Sequence, residues 1–159
     1  ALVAWWVIEN RPAFESAVLA FAWILCFAAA AFLTAQSFMK VTEPLLAVSS
    51  VVGCLGIATL LQKRNYLLSG AAGPCLLAFA AAIANAQFNS YLGLSDYLSY
   101  LAMFAPALVA LAGVPFSFAS RPAKVVSNSR IAVTLLVSIA LCATIVTWTQ
   151  ISAGGDEDW

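Results

Sequence analysis

The stretch FESAVLAFAWILCFAAAAFLTAQ, residues 14–36, decides the class of fold. It carries a single charged residue, Glu15, and that residue lies near its start. About twenty apolar residues in an α-helix are enough to cross the ~30 Å hydrocarbon core of a bilayer. The stretch therefore predicts a transmembrane helix.

The composition of the whole chain indicates that the rest of the protein also lies in a membrane. The 159 residues are 64% hydrophobic and 9% charged, whereas a soluble domain is nearer half apolar and a quarter charged. The apolar runs are continuous and lack the two-residue alternation of a transmembrane β-strand, so they indicate helices. We predict an all-α integral membrane protein whose residues 1–159 form one compact bundle.

Five stretches are long and apolar enough to be transmembrane helices. They cover residues 14–36, 44–62, 66–86, 97–118 and 131–150. The connections are short, which makes consecutive helices antiparallel neighbours. Pro12 and Pro44 suit the first turn of a helix, and Ser129 is the expected N-cap of the fifth. Pro74 and Pro106 fall inside predicted spans, where proline favours a kink.

The distribution of basic residues predicts the orientation of the bundle. Alternation over five spans puts six basic residues on one side, and only Lys40 on the other; the six are Arg11, Lys63, Arg64, Arg121, Lys124 and Arg130. The positive-inside rule then places the N-terminus toward cytoplasm, matrix or stroma and the C-terminus on the opposite side. All of the six except Arg11 are also expected to meet anionic lipid headgroups.

The residue types present exclude several kinds of chemistry. The chain has no histidine, which removes His-ligated haem, the usual zinc sites and a Ser-His-Asp triad. Its net charge of zero does not indicate the basic surface that nucleic-acid binding requires. The four cysteines lie singly in four spans without a CxxC motif, so we expect apolar buried thiols rather than a metal site or redox pair; they are Cys26, Cys54, Cys75 and Cys142.

Small residues recur at helical spacing on three of the predicted spans. Such faces allow helix backbones to approach closely, either within the bundle or against another subunit. The predicted packing residues are Ser49, Gly53 and Gly56 on the second span, Ser69, Gly73, Ala80 and Ala84 on the third, and Thr134 and Ser138 on the fifth.

The segment ANAQFNSYLGLSDYLSY, residues 84–100, interrupts the apolar sequence with amides and hydroxyls. Asn85, Gln87 and Asn89 are the candidates for a pocket that takes a polar headgroup, quinone or pigment. The favoured interpretation is an ordinary turn at the membrane interface, where amides and tyrosines are common. Glu15 has a similar structural interpretation, because a carboxylate at a helix N-terminus beside Arg11 is stabilised by the helix dipole.

The sequence favours a non-catalytic accessory subunit of a larger membrane complex, with membrane lipids and other subunits as partners. We expect a respiratory or photosynthetic assembly in an organelle inner or thylakoid-type membrane, with lipid or pigment in its grooves; a bacterial plasma membrane stays open. One alternative is a small homo-oligomeric transporter or channel for neutral or lipidic solutes, suggested by Gln36, Asn85, Gln87 and Gln150. An intramembrane lipid-modifying enzyme is a weaker alternative. It is weaker because no span contains a visible general base.

Overall fold

A computed structural model describes residues 2–37, 39–89, 96–112, 114 and 123–154. Within these residues the chain forms six α-helices. They are α1 (Leu2–Glu9), α2 (Ala13–Ser37), α3 (Met39–Gln62), α4 (Tyr66–Asn89), α5 (Asp96–Ala112) and α6 (Ala123–Gly154).

Four of these helices, α2, α3, α4 and α6, are long and apolar enough to cross a membrane. The fifth apolar helix, α5, has 17 residues, which at 1.5 Å per residue is about 25 Å. The chain is therefore an all-α, multi-pass integral membrane protein, as its composition predicts.

Helix α2 is the centre of the bundle. It contacts α3, α4, α5 and α6, and 67% of its apolar window is buried inside the protein, compared with 17% for α6. Trp23 and Phe27 of α2 are completely buried, and the Phe27 ring lies 4.3 Å from that of Phe79 on α4, measured between centroids. Buried alanines between these large side chains let the outer helices approach α2 closely.

The short helix α1 packs on α4 and α5. Its last turn supplies the completely buried Ile8 and the nearly buried Val7, while Trp6 remains exposed. The described part of α1, LVAWWVIE, lies at the end of the bundle where α4 begins.

Two predicted helix starts are wrong. Helix α3 begins at Met39, so Pro44 lies inside it and removes one backbone hydrogen bond instead of opening the first turn. Helix α6 begins at Ala123, so Ser129 is an internal residue and not an N-cap. The reason is that the first two turns of α6 are polar, and an apolar pattern cannot detect helical residues at headgroup depth.

The other helix bounds lie near the predicted ones. Helix α2 begins one residue before the predicted span, and α4 ends three residues after it. Helix α5 ends at Ala112, while the fourth span was predicted to reach residue 118; residues 113 and 115–122 lie outside the described part. Pro74 and Pro106 both lie inside helices, as predicted.

Candidate functional site

Three charged side chains from distant parts of the chain meet at one end of the bundle. Arg11 directly precedes α2, Glu15 lies in the first turn of α2, and Arg130 lies near the start of α6. Arg11 is 8% exposed and Glu15 is 3% exposed. We call these three residues the charge cluster.

Glu15 and Arg130 form an ion pair between α2 and α6. The Nη1 atom of Arg130 lies 3.4 Å from Oε2 of Glu15. A buried carboxylate is costly unless a cation compensates it, and the guanidinium of Arg130 does so. Helix α6 is thereby attached to the central helix by charge as well as by apolar contact.

Arg11 attaches the start of α2 to α5. Its Nη2 donates a hydrogen bond to the carbonyl oxygen of Ala110, in the last turn of α5, over 3.1 Å. A cation is favoured there because the last carbonyls of a helix lack partners within the helix. Burial lowers the pKa of Arg11 and the positive charge of Arg130 lowers it further, while the negative charge of Glu15 raises it.

A second group of polar contacts secures α1 beside the charge cluster. Asn65, between α3 and α4, donates from Nδ2 to the carbonyl oxygens of Ile8 (3.0 Å) and Arg11 (2.5 Å). The Ser69 hydroxyl donates to Oε1 of Glu9 over 3.1 Å. The Ile8 carbonyl also accepts from the backbone N–H of Arg11 and the hydroxyl of Ser16, so these bonds together join the end of α1 to the starts of α2 and α4.

Two buried polar atoms next to the ion pair have no hydrogen-bond partner among the described residues. They are Nε of Arg130 and Oγ1 of Thr134. The two residues are four positions apart on α6, which puts them on the same face of the helix. A buried donor without an acceptor typically costs about 1–3 kcal/mol, so such atoms call for a physical explanation.

The small residues predicted on α3 lie against α2. A Cβ atom added to Gly56 would be 3.0 Å from Cβ of Ala20, and one added to Gly53 would be 3.2 Å from Cδ1 of Ile24. Ser49, on the same side of α3, is buried. This face is the close contact between α3 and the central helix.

The other predicted packing residues are buried or half-buried. On α4, Ser69 is buried and Gly73, Ala80 and Ala84 are half-buried; on α6, Thr134 and Ser138 are buried. A line that the sequence analysis missed faces outward on α4. We call it the outer line, and it consists of Gly70, Pro74, Ala78 and Ala81.

The predicted pocket residues do not converge on one site. Asn85 and Asn89 are exposed and bond to each other, with Nδ2 of Asn89 donating to Oδ1 of Asn85 over 2.6 Å. Gln87 is half-buried and lies two positions from each, on a different side of α4. Gln150, near the end of α6, is exposed.

Of the basic residues expected at lipid headgroups, Lys63 and Arg64 are exposed at the turn between α3 and α4. Lys63 has a φ of 53°, the left-handed conformation that commonly ends a helix. The side chain of Arg130 is 15% exposed and is paired with Glu15. Lys124 lies in the first turn of α6, and Arg121 lies outside the described residues.

The structure brings two cysteines together that the sequence treats as single. Cys26 on α2 and Cys142 on α6 lie near enough for their thiols to influence each other, on two helices that pack together. Cys54 is exposed and Cys75 is half-buried. No group of three or more Cys, Asp or Glu side chains that could hold a metal ion occurs in the part of the chain that the structure describes.

The chain was also compared with proteins already known. Family models, curated proteins and solved structures all fail to give a match. Functional conclusions for this membrane protein therefore rest on the geometry of its helices and of the charge cluster.

Proposed function

We propose that the chain is a non-catalytic structural subunit of a larger integral-membrane complex. The observation that carries this proposal is the outer line of α4. Its four residues are small or cyclic and all are exposed, and no described residue outside the immediate neighbourhood of Gly70 lies within 4 Å of a Cβ atom added there. Lines of this kind allow the backbone of another helix to approach closely.

The inside of the bundle shows how such a line is used. Gly56 packs against Ala20 of α2 and Gly53 against Ile24, and a Cβ atom added to either glycine would lie 3.0–3.2 Å from its neighbour. The outer line offers the same kind of surface one helix further out, and none of the six described helices covers it. A helix from a neighbouring subunit would bury it in the same way.

We also propose that the chain crosses the bilayer five times, with its N-terminus on the positive side. Support comes from the charge cluster, where the start of α2, the end of α5 and the start of α6 meet at one end. Five alternating crossings require this arrangement. The setting we favour is an organelle respiratory or photosynthetic membrane, because the loops are minimal and the predicted spans carry no ionisable pathway.

Native-mass analysis of the protein, extracted gently from its own membrane, tests the subunit proposal. We expect the chain to travel in a large assembly with fixed partners. Ala78→Leu, which adds bulk to the outer line, should release it from that assembly. Val51→Leu, on the exposed face of α3, is the matched control and should leave the assembly intact.

Both variants should unfold at the wild-type temperature when isolated, because both positions are exposed in the single chain. A wild-type protein that runs alone or as a small homo-oligomer would contradict the proposal. Solute-flux measurements on the purified protein in liposomes would then test the transporter alternative.

A further inference from the structure

The charge cluster holds more positive than negative charge. Glu15 is paired with Arg130, whereas Arg11 donates to the neutral carbonyl of Ala110. Arginine stays protonated in proteins, so two cations face one anion in a largely buried place. Glu9 does not supply the missing charge, since it is exposed and accepts a hydrogen bond from Ser69.

An uncompensated buried charge costs several kcal/mol, so the excess calls for an anion. Arg11 lies close enough to Glu15 and Arg130 for both charges to act on it. The donors that an anion would need are present as well. Nε of Arg130 and the hydroxyl of Thr134 are buried without an acceptor among the described residues, and Thr134 is 1% exposed.

The chemistry of the unpartnered donors, a guanidinium N–H and a hydroxyl, favours an oxyanion. Guanidinium groups bind phosphate through charge-assisted, often paired hydrogen bonds, and a hydroxyl can add another donor. The Arg130 side chain retains 15% exposure, so an anion can approach the cluster from outside the bundle. Lys63 and Arg64 are exposed and lie in the same connection as Asn65, which donates a hydrogen bond to the Arg11 carbonyl. Because they lie near the charge cluster, their positive charges raise the local concentration of anions.

We propose that the charge cluster binds one phosphate group, with Arg11 and Arg130 as its cationic ligands and the Thr134 hydroxyl as a further donor. Glu15 neutralises one of the two positive charges and leaves the other for the phosphate. The phosphate belongs either to the headgroup of an anionic phospholipid or to a free phosphate ion. This site goes beyond the proposed subunit function, because it needs no protein partner.

The full chain purified in a neutral detergent is suitable for the test. Phosphatidylglycerol and the zwitterionic phosphatidylcholine are added separately, and retained lipid is counted by native mass spectrometry. Inorganic phosphate is titrated in parallel against the thermal unfolding temperature. One retained phosphatidylglycerol per chain identifies the headgroup as the source, and stabilisation by inorganic phosphate identifies the free ion.

Arg11→Gln and Arg130→Gln should each weaken binding of the effective probe by about tenfold or more, because each removes a buried cationic ligand. Lys63→Gln removes one exposed charge at the same end and should change the affinity by less than about threefold. Glu15→Gln should strengthen binding, since it removes the competing carboxylate.

Thr134→Val removes one hydroxyl donor and no charge, and it should also weaken binding, so it keeps the test decisive where a charge variant fails to fold. Unchanged binding in this variant would contradict the proposal. Absence of saturable binding by both probes would overturn the proposal. So would an equal loss in Lys63→Gln, or weaker binding in Glu15→Gln that is folded.

Discussion

The indole Nε1 of Trp23 donates a hydrogen bond to the carbonyl oxygen of Pro106 across 2.9 Å. The two residues are 83 positions apart and belong to α2 and α5, and both are buried. An indole N–H has no water to bond to inside a bilayer, so the carbonyl satisfies it. The bond also joins the 17-residue apolar helix α5 to the centre of the bundle.

Trp23→Phe should destabilise the protein by about 1 kcal/mol from the lost hydrogen bond, plus a contribution from the smaller ring. Unfolding in mixed micelles of increasing denaturing detergent measures the change. Trp148→Phe is the matched control, because Trp148 is exposed on α6. Equal effects of the two substitutions would show that the Trp23 bond contributes nothing.

The stability changes caused by glycine-to-alanine substitutions should distinguish small residues packed inside the bundle from those on its outer surface. Gly56→Ala should destabilise by about 1–3 kcal/mol, because the new Cβ atom would lie 3.0 Å from Cβ of Ala20. Gly53→Ala should cost less, since its neighbour is the flexible end of Ile24. Gly70→Ala meets nothing within 4 Å and should be neutral or stabilising by up to ~1 kcal/mol, measured by the same unfolding titration.

The ion pair between Glu15 and Arg130 should appear as coupling in a double-mutant cycle. Glu15→Gln and Arg130→Gln should each cost about 3–5 kcal/mol in phosphate-free buffer, because each leaves a buried charge without its partner. The double variant should cost clearly less than the sum. Glu15→Gln combined with Lys63→Gln should be additive, and similar coupling in both cycles would argue against a specific pair.

The proximity of Cys26 and Cys142 predicts a selective cross-link. A membrane-permeant diazene oxidant takes up two hydrogens from the two thiols, which leaves one disulfide and the reduced hydrazine. Peptide mass spectrometry should find Cys26 joined to Cys142 within one chain. Cys142→Ser should abolish that product, and a preferred link from Cys26 to Cys54 or Cys75 would contradict the packing of α2 on α6.

Length and composition are enough to predict the membrane helices, because crossing hydrocarbon requires long apolar segments. They do not reveal that α6 begins at Ala123, since its first turns carry Ser127 and Asn128 at a depth where polar residues are tolerated. The face of α3 that carries Gly53 and Gly56 does pack closely, against α2.

The sequence alone predicts only part of the charge cluster. Arg11 and Arg130 indicate the positive side, and Glu15 suits a helix N-terminus, but no local pattern joins residues 115 positions apart. The same limit applies to Cys26 and Cys142. On α4, small residues occur both at the half-buried Gly73 and at the exposed Gly70, so periodicity alone cannot decide which of them faces inward.

The central position of α2 has a consequence for how the protein is made. Among the described long helices α2 is synthesised first, yet α3 to α6, which cover it, all follow it in the chain. Glu15 therefore lies at the membrane interface without Arg130 until α6 has emerged from the ribosome. A nascent chain halted after α5 would leave Glu15 with Arg11 but without Arg130, and it would present open helix faces to lipid. Such a fragment is what membrane quality-control proteases would be expected to remove.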